Sequence, residues 1–305
     1  MNNVQPLISL CIPTYNRPKA LKELMDSILL EDIDKSLYEI CIADDSNNCE
    51  TENMISEYIE KYSNVIYKKN SYRLTYMNMI NVLKMGNGKL LKLNNDYIKY
   101  RPGALKMMLD DIKEYDETDT FIIYAKTYND KSVLSVRNLS NLMDVVTYHV
   151  TWCSSFAMWK KDFDVCLQSN ISIDTFFPHM DLLFRLQEKK RYIIYGKDYF
   201  SIQKIGFQGG YHFPKEFGVH FLDMIYTLKK EERINQETWE KIRKDTVRLI
   251  ARSHARQVKN PQRYGCDYSE WYRYLLKYNN IISIFRYMYL FIFYLITERK
   301  IESDT

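Results

Sequence analysis

Glycine and proline are scarce, nine and seven in 305 residues, so long flexible linkers are not expected. The six cysteines, Cys11, Cys41, Cys49, Cys153, Cys166 and Cys266, form no C-x-x-C pair and no metal-ligand spacing. A cysteine-held metal is therefore excluded, and the set reads as reduced thiols in a cytosolic setting. Cys11 and Cys41 lie in apolar runs, where a thiol packs as a small hydrophobe. No apolar run reaches the roughly 20 residues that a bilayer span needs. The nearest, Ile281–Ile296, is interrupted by Arg286. The apolar run after Met1 is short and reads as a strand rather than a leader. Internal repeats and low-complexity tracts are absent from the sequence.

What is present is a chain that is 46% hydrophobic and 27% charged. That suffices for a full core, as one large domain with an appendage or as two small domains, and argues against disorder. Tyrosine is abundant, at 26. Its large apolar ring with one hydroxyl suits sugar-binding clefts and membrane interfaces. The net charge of +4 is uneven: residues 229–305 hold 16 Lys/Arg against 10 Asp/Glu, and the remainder holds 27 against 29. A basic tail points to an anionic partner.

The first part of the chain alternates in period. Leu7–Ile12 is a buried-strand run ended by Pro13, and Pro18 opens a helical pattern through Leu21, Leu24, Ile28 and Leu29. Glu39–Ala43 and Val65–Tyr67 read as strands, with a helix between them marked by Met54, Ile55, Tyr58 and Ile59. Tyr76–Leu83 reads as a helix, Lys89–Leu93 as a strand, Gly103–Ile112 as a helix and Phe121–Ala125 as a further strand. Such alternation predicts a mostly parallel sheet covered on both faces, with ligands at the carboxyl ends of the strands. The alternation weakens after Val150, and after His220 the pattern is helical and basic.

Three polar clusters fall at those strand ends. Pro13, Thr14, Tyr15, Asn16 and Arg17 follow the first strand, as a turn with an exposed aromatic that can receive a base and ribose. Asp44, Asp45 and Ser46 follow the second, where a carboxylate can accept from a base N–H or a ribose hydroxyl. Asn94, Asn95 and Asp96 follow the fourth, offering oxygen ligands to a hard divalent ion. Each cluster alone is also an ordinary polar turn.

Together, these clusters resemble the inverting glycosyltransferases of family 2. Ser9–Arg17 is similar to the family's opening strand, and Asp44-Asp45 to its paired aspartates. Gly88–Leu93 followed by Asn94-Asn95-Asp96 is similar to its D-x-D step, and Arg101–Leu105 to its P-G-x-L step. The resemblance is strong over the first third of the chain and thins afterwards. It implies an α/β chain of the GT-A fold, with a mostly parallel sheet, helices on both faces and a C-terminal helical extension. Residues 1–220 would form the transferase domain, with a nucleotide-binding half about 1–125 and an acceptor half about 126–220. Residues 221–305 would form a basic, aromatic-rich helical region. Arg73 joins the three clusters in the nucleotide-binding set. Asp96 would hold a divalent cation, Mn²⁺ or Mg²⁺, against the diphosphate of a nucleotide-sugar, with a UDP-sugar as the expected donor.

The chain departs from the family at Asn94, where the first D-x-D acid is a neutral amide. The family's E-D pair, ahead of a D-L-x-x-R step, falls on Pro178 and His179. The base that takes the acceptor proton is then Asp181, the favoured candidate, or His179, with Asp174 a third; the plain alternative is that Asp181 caps its helix. His212, in the Gly206–His212 loop, could serve the metal as some family members' histidines do, ahead of His220. Trp152–Ser155 and Trp159 resemble an acceptor-side segment.

The Ile281–Ile296 helix, with its tyrosines and nearby Arg273, Lys277, Arg286, Arg299 and Lys300, suits an anionic membrane surface, and equally a buried docking helix or a dimer contact. The expected enzyme transfers sugar to a glycan or lipid-linked glycan of a bacterial surface polysaccharide. It would be cytoplasmic and peripheral on the inner face of the membrane. A non-catalytic sugar- or nucleotide-binding protein is the alternative. A nucleic-acid partner is not expected, since Lys241–Arg256 carries no groove-reading motif.

Overall fold

The computed structural model describes residues 5–115, 117–125, 133–168, 176–196, 198–203, 210–261 and 265–298. The chain divides into two compact units, residues 1–142 with 149–204, and residues 143–148 with 205–305.

The first unit is built on a five-stranded sheet in which Val65–Lys69, Tyr38–Asp44, Ile8–Thr14, Leu90–Leu93 and Ala157–Trp159 lie side by side in that order. β1 (Ile8–Thr14) and β2 (Tyr38–Asp44) are almost wholly buried and lie at its centre, as expected of near-continuous apolar runs in a parallel sheet. β3 (Val65–Lys69) and β4 (Leu90–Leu93) flank them in parallel. β8 (Ala157–Trp159) closes the far edge antiparallel to β4. The helices α1 (Pro18–Leu29), α2 (Glu50–Lys61) and α3 (Asn78–Met85) connect the parallel strands. α1 turns Leu21, Leu24, Met25 and Ile28 into the core, the three- and four-residue spacing visible in the sequence. Gly88 has a packing reason: a Cβ there would lie 2.6 Å from the Ile8 carbonyl carbon. Only glycine lets β4 start this close to β1.

The register sets the site. Thr14 pairs with Asp44, and Cys11 pairs with Leu93. The chain leaves three neighbouring strands at one end of the sheet. Backbone bonds tie those exits together: Asp45 N–H donates to Thr14 O (3.0 Å), and Asn94 N–H to Cys11 O (2.8 Å).

After β4 the order departs from simple alternation. β5 (Ile98–Tyr100) precedes α4 (Ala104–Glu114), and pairs with the later β10 (Phe200–Ile202). The strand expected over Phe121–Ala125 is β6 (Thr120–Ile123), in a separate three-stranded sheet with β9 (Arg191–Tyr195) and β7 (Val133–Val136). The physical reason is occupancy: β8 already fills the free edge of β4. Local pattern shows a strand but not its partner. Between these lie α5 (Leu139–Val146), α6 (Lys160–Gln168) and α7 (Pro178–Arg185).

The second unit is helical: α8 (Phe213–Lys215), a π-helical turn Glu216–Phe221, α9 (Leu222–Lys230), α10 (Gln236–Lys259), α11 (Trp271–Leu276) and α12 (Ile281–Thr297). Asn235 and Asn280 cap α10 and α12, accepting from Thr238 N–H and Ser283 N–H. No helix among the described residues is long and apolar enough to cross a membrane.

Candidate active site

The end of β1 makes the first wall. Thr14 is buried, and Asn16 sits at φ 52°, a left-handed conformation that Asn tolerates better than most residues. Asn16 N–H donates to Ser46 Oγ (2.8 Å), and Asn16 Oδ1 accepts from Asn47 N–H (3.2 Å). This turn therefore locks onto the turn after β2. Pro13 lies within β1 opposite Ala43.

At the end of β2 the two aspartates have different work. Asp44 is fully buried and accepts from Ser46 N–H (2.8 Å) and Tyr67 OH (2.8 Å), which shapes its own turn. Asp45 reaches across to the segment before α3. It accepts from Asn70 Nδ2 (2.6 Å), Leu74 N–H (3.0 Å) and Thr75 N–H (2.8 Å). Thr75 has φ 54°, a strained value for a β-branched residue. The Asp45 carboxylate holds that turn, and the turn presents Arg73. The Arg73 guanidinium lies 4.0 Å from the centre of the Tyr15 ring. A planar cation over an aromatic ring forms one lip of the rim, where a nucleobase could stack.

The end of β4 makes the third wall. Asn94 is buried and turned inward: its Nδ2 donates to Lys92 O (3.1 Å), and its Oδ1 accepts from Tyr100 OH (3.0 Å). Asn95 is braced by the segment after Trp152, through Ser154 Oγ (2.6 Å to Asn95 Oδ1) and the Cys153 thiol (3.0 Å). Asp96 is 2% exposed. Its two oxygens accept from Thr14 Oγ1 (2.8 Å) and Arg17 Nη1 (2.9 Å). Burial pushes the Asp96 carboxyl up, and Arg17 and Thr14 oppose that rise. Arg17 also lies 5.5 Å from the Tyr97 ring centre. Its buried Nε makes no hydrogen bond among the described residues.

Beneath this wall lies Lys92, fully buried in β4. Its Nζ donates to Leu93 O (2.6 Å) and Ser154 O (2.5 Å) and sits over the Tyr124 and Phe200 rings at 5.5 and 5.1 Å. Burial pushes this amine down to about 7. Sequence reasoning passed over it, although a lysine inside an apolar Leu-Leu-Lys-Leu strand was a visible signal. It also passed over Asn70 and Tyr67, whose partners are distant in sequence.

The fit of a divalent cation follows from the donors. The end of β4 offers a single carboxylate between amides. Both oxygens of that carboxylate are engaged, one by a guanidinium. Among the described residues no group of three His, Cys, Asp or Glu side chains could hold a metal ion. This donor set does not fit a divalent ion without displacement of Arg17.

Two of the three candidate bases, Asp181 and His179, lie on α7 in the same unit. Asp181, partly exposed, accepts from Arg185 Nε (3.0 Å) and Nη2 (2.7 Å). His179 is buried, its ring edge-on to Phe156 at 5.8 Å. Asp174 lies outside the described residues. His212 belongs to the second unit. There it caps α8 by accepting from Lys215 N–H (3.3 Å), and its ring packs 4.5 Å from that of Tyr274. His220 lies in the same unit, beside Glu216 at 2.5 Å. Trp152 packs edge-on to Phe200 at 6.1 Å, and the buried Trp159 donates to Thr120 O (2.8 Å).

The chain is similar in sequence and in fold to known proteins. A model of "Glycosyl transferase family 2" matches residues 9–166. The abequosyltransferase RfbV of Salmonella typhimurium is 44% identical over 69 residues, covering 22% of this chain and 21% of RfbV. The chain thus spans about a fifth of that relative. Among solved structures, S. aureus TarS in complex with UDP is similar at a TM-score of 0.54 and 17% identity, over 82% of this chain and 71% of that one. The mannosyltransferase PcManGT of Pyrobaculum calidifontis, in complex with GDP-Man and Mn²⁺, is similar at 0.53 and 12% identity, over 97% and 89%. At these identities the likeness shows the shared α/β, GT-A-type fold.

Proposed function

The chain belongs to glycosyl transferase family 2, and on that premise we propose that it moves a sugar from a nucleotide diphosphate-sugar to a glycan acceptor, with inversion at the anomeric carbon. The observation that carries this reading is the convergence of three polar strand ends on one rim: Thr14–Arg17, Asp44-Asp45 and Asn94–Asp96. The UDP and GDP-Man bound to the two neighbours support a nucleotide-linked donor, with a UDP-sugar as the first candidate. The product would be a bacterial surface polysaccharide, built on a glycan or lipid-linked glycan at the inner face of the membrane.

In this proposal the base stacks at the Tyr15–Arg73 lip, which Asp45 holds in place. The diphosphate lies toward Arg17 at the end of β4. Asp181 takes the acceptor hydroxyl proton, the oxygen attacks the anomeric carbon, and the bond to the diphosphate breaks with its electron pair on the leaving nucleotide. Exposure favours Asp181 over His179, because a base must reach an incoming acceptor and His179 is buried. Arg185 orients the Asp181 carboxylate.

The charge that develops on the leaving diphosphate needs a cation. The Mn²⁺ of the mannosyltransferase neighbour supports a divalent ion at Asp96, as the family resemblance implies. The arrangement here supports Arg17 in that role, since its guanidinium already stands beside Asp96 at the end of β4. We assign the charge to Arg17. Turnover that survives EDTA fits this assignment, and turnover that EDTA abolishes restores the metal.

The neutral Asn94, and Pro178-His179 at the place of the family's E-D pair, favour one second reading: a binding protein of the same fold that has lost turnover. Release of nucleoside diphosphate from a panel of nucleotide-sugars separates the two. Transfer predicts release from one donor at a rate at least about 100-fold above that of an Asp96→Asn variant. Binding without release from any donor would establish the second reading.

A further inference from the structure

A continuous apolar surface is exposed on α12 in the second unit. Eight large apolar or aromatic side chains of this helix, Ile281, Ile282, Phe285, Met288, Tyr289, Ile292, Phe293 and Ile296, are between 39% and 76% exposed. At 3.6 residues per turn they fill one continuous sector of about 140° running the length of the helix. Soluble monomers rarely expose a stripe of this kind without a partner. The helix cannot swing to hide it, because its other face is fastened. Tyr287 is buried, its ring stacks 4.0 Å from that of Trp271, and its hydroxyl shares a 2.6 Å hydrogen bond with His254 Nδ1. Glu298 closes the C-terminal end on Arg252 and Arg256.

Charge indicates the occupant. α12 contains no acidic residue. Arg286 lies at the edge of the apolar sector and makes no ion pair among the described residues. From Gln236 to Glu298 the chain carries eleven Lys/Arg against six Asp/Glu. An apolar, tyrosine-bearing face with Arg286 at its edge, in a region of net positive charge, matches the boundary between the headgroups and acyl chains of an anionic lipid layer. The helix has 17 residues, about 25 Å in length, so it lies in the interface and does not span it.

We propose that α12 lies flat in the surface of an anionic membrane, with Phe285 and Ile292 at the centre of the buried stripe and Arg286 on a lipid phosphate. This deepens the membrane partner of the functional reading above, yet its test involves no donor or acceptor, so either can fail alone.

The test is sedimentation of the full chain with vesicles of phosphatidylglycerol and phosphatidylcholine at equal parts, beside vesicles of phosphatidylcholine only. Wild type should sediment with the mixed vesicles, and at least tenfold more weakly with the neutral ones. The double variant Phe285→Glu/Ile292→Glu should lose at least tenfold in partitioning with an unchanged thermal unfolding curve, since both residues are exposed. Arg286→Ala should lose about three- to fivefold, on mixed vesicles only. Partitioning of the double variant equal to wild type would overturn the proposal. So would a wild type that ignores both vesicles and sediments by itself as a dimer that the double variant dissolves, which assigns the stripe to a second copy.

Discussion

The ends of β2 and β4 look alike in sequence, as acid or amide runs after an apolar strand, yet they are stabilised in different ways. At β2 the two carboxylates are surrounded by neutral donors: Ser46 N–H and Tyr67 OH for Asp44, and Asn70, Leu74 N–H and Thr75 N–H for Asp45. At β4 the single carboxylate faces the Arg17 guanidinium, and a buried lysine lies beneath. Neutral donors shape a turn and fix what it presents. A buried cation adds a field that a diphosphate can feel. The β2 end is therefore read as architecture for the lip, and the β4 end as the seat of charge.

Breaking the β4 end should have the largest effect. Asp96→Asn removes the carboxylate that fixes the Arg17 guanidinium in place and should lower turnover by roughly 100-fold or more, about 3 kcal/mol, measured as nucleoside diphosphate release. Lys92→Met tests the second cation through stability. The folded-state amine is depressed to about 7, while the unfolded chain holds its proton to about 10.5. The unfolded state thus binds more protons between those values, so wild-type stability rises with pH across that window. The methionine variant should gain most over wild type at pH 7 and below. That gain should shrink by about 1 kcal/mol per pH unit toward pH 10, as read by chemical denaturation. The β2 end should respond more gently. Asp45→Ala frees the Leu74–Thr75 turn and with it Arg73, so nucleotide affinity should fall about tenfold by calorimetry, with kcat changed less than threefold. Asp44→Asn keeps an acceptor for Ser46 N–H, so it should cost about 1 kcal/mol of stability and move nucleotide affinity less than twofold. If Asp44→Asn matched Asp96→Asn in turnover, the contrast between the two ends would be gone.

Much of this contrast was legible before the fold. Thr14, Asp44 and Asp96 fall at strand ends because apolar β-branched runs stop there, and a parallel sheet brings such ends together. What each carboxylate accepts from was not legible. Asp96 meets Thr14 and Arg17 only because β4 pairs with β1, and Asp45 meets Thr75 across 30 residues. Lys92 stood in plain view as a charge inside an apolar strand, but its depth depends on Ser154 and the rings of Tyr124 and Phe200, which come from later segments. The place of Phe121–Ala125 was missed for a related reason, since pairing partners are a property of the whole sheet. The apolar stripe of α12 was visible as composition, whereas its exposed side needed the packing of Tyr287 on Trp271.

The central claim is that the three-strand rim is the donor site. Calorimetric titration of UDP, GDP and their sugar conjugates into wild type and into Arg73→Ala and Asp96→Asn tests it most directly. The account predicts one saturable site for one nucleotide family, weakened about tenfold or more in each variant. Binding that is unchanged in both variants, or no binding of any nucleotide to the wild type, would contradict it.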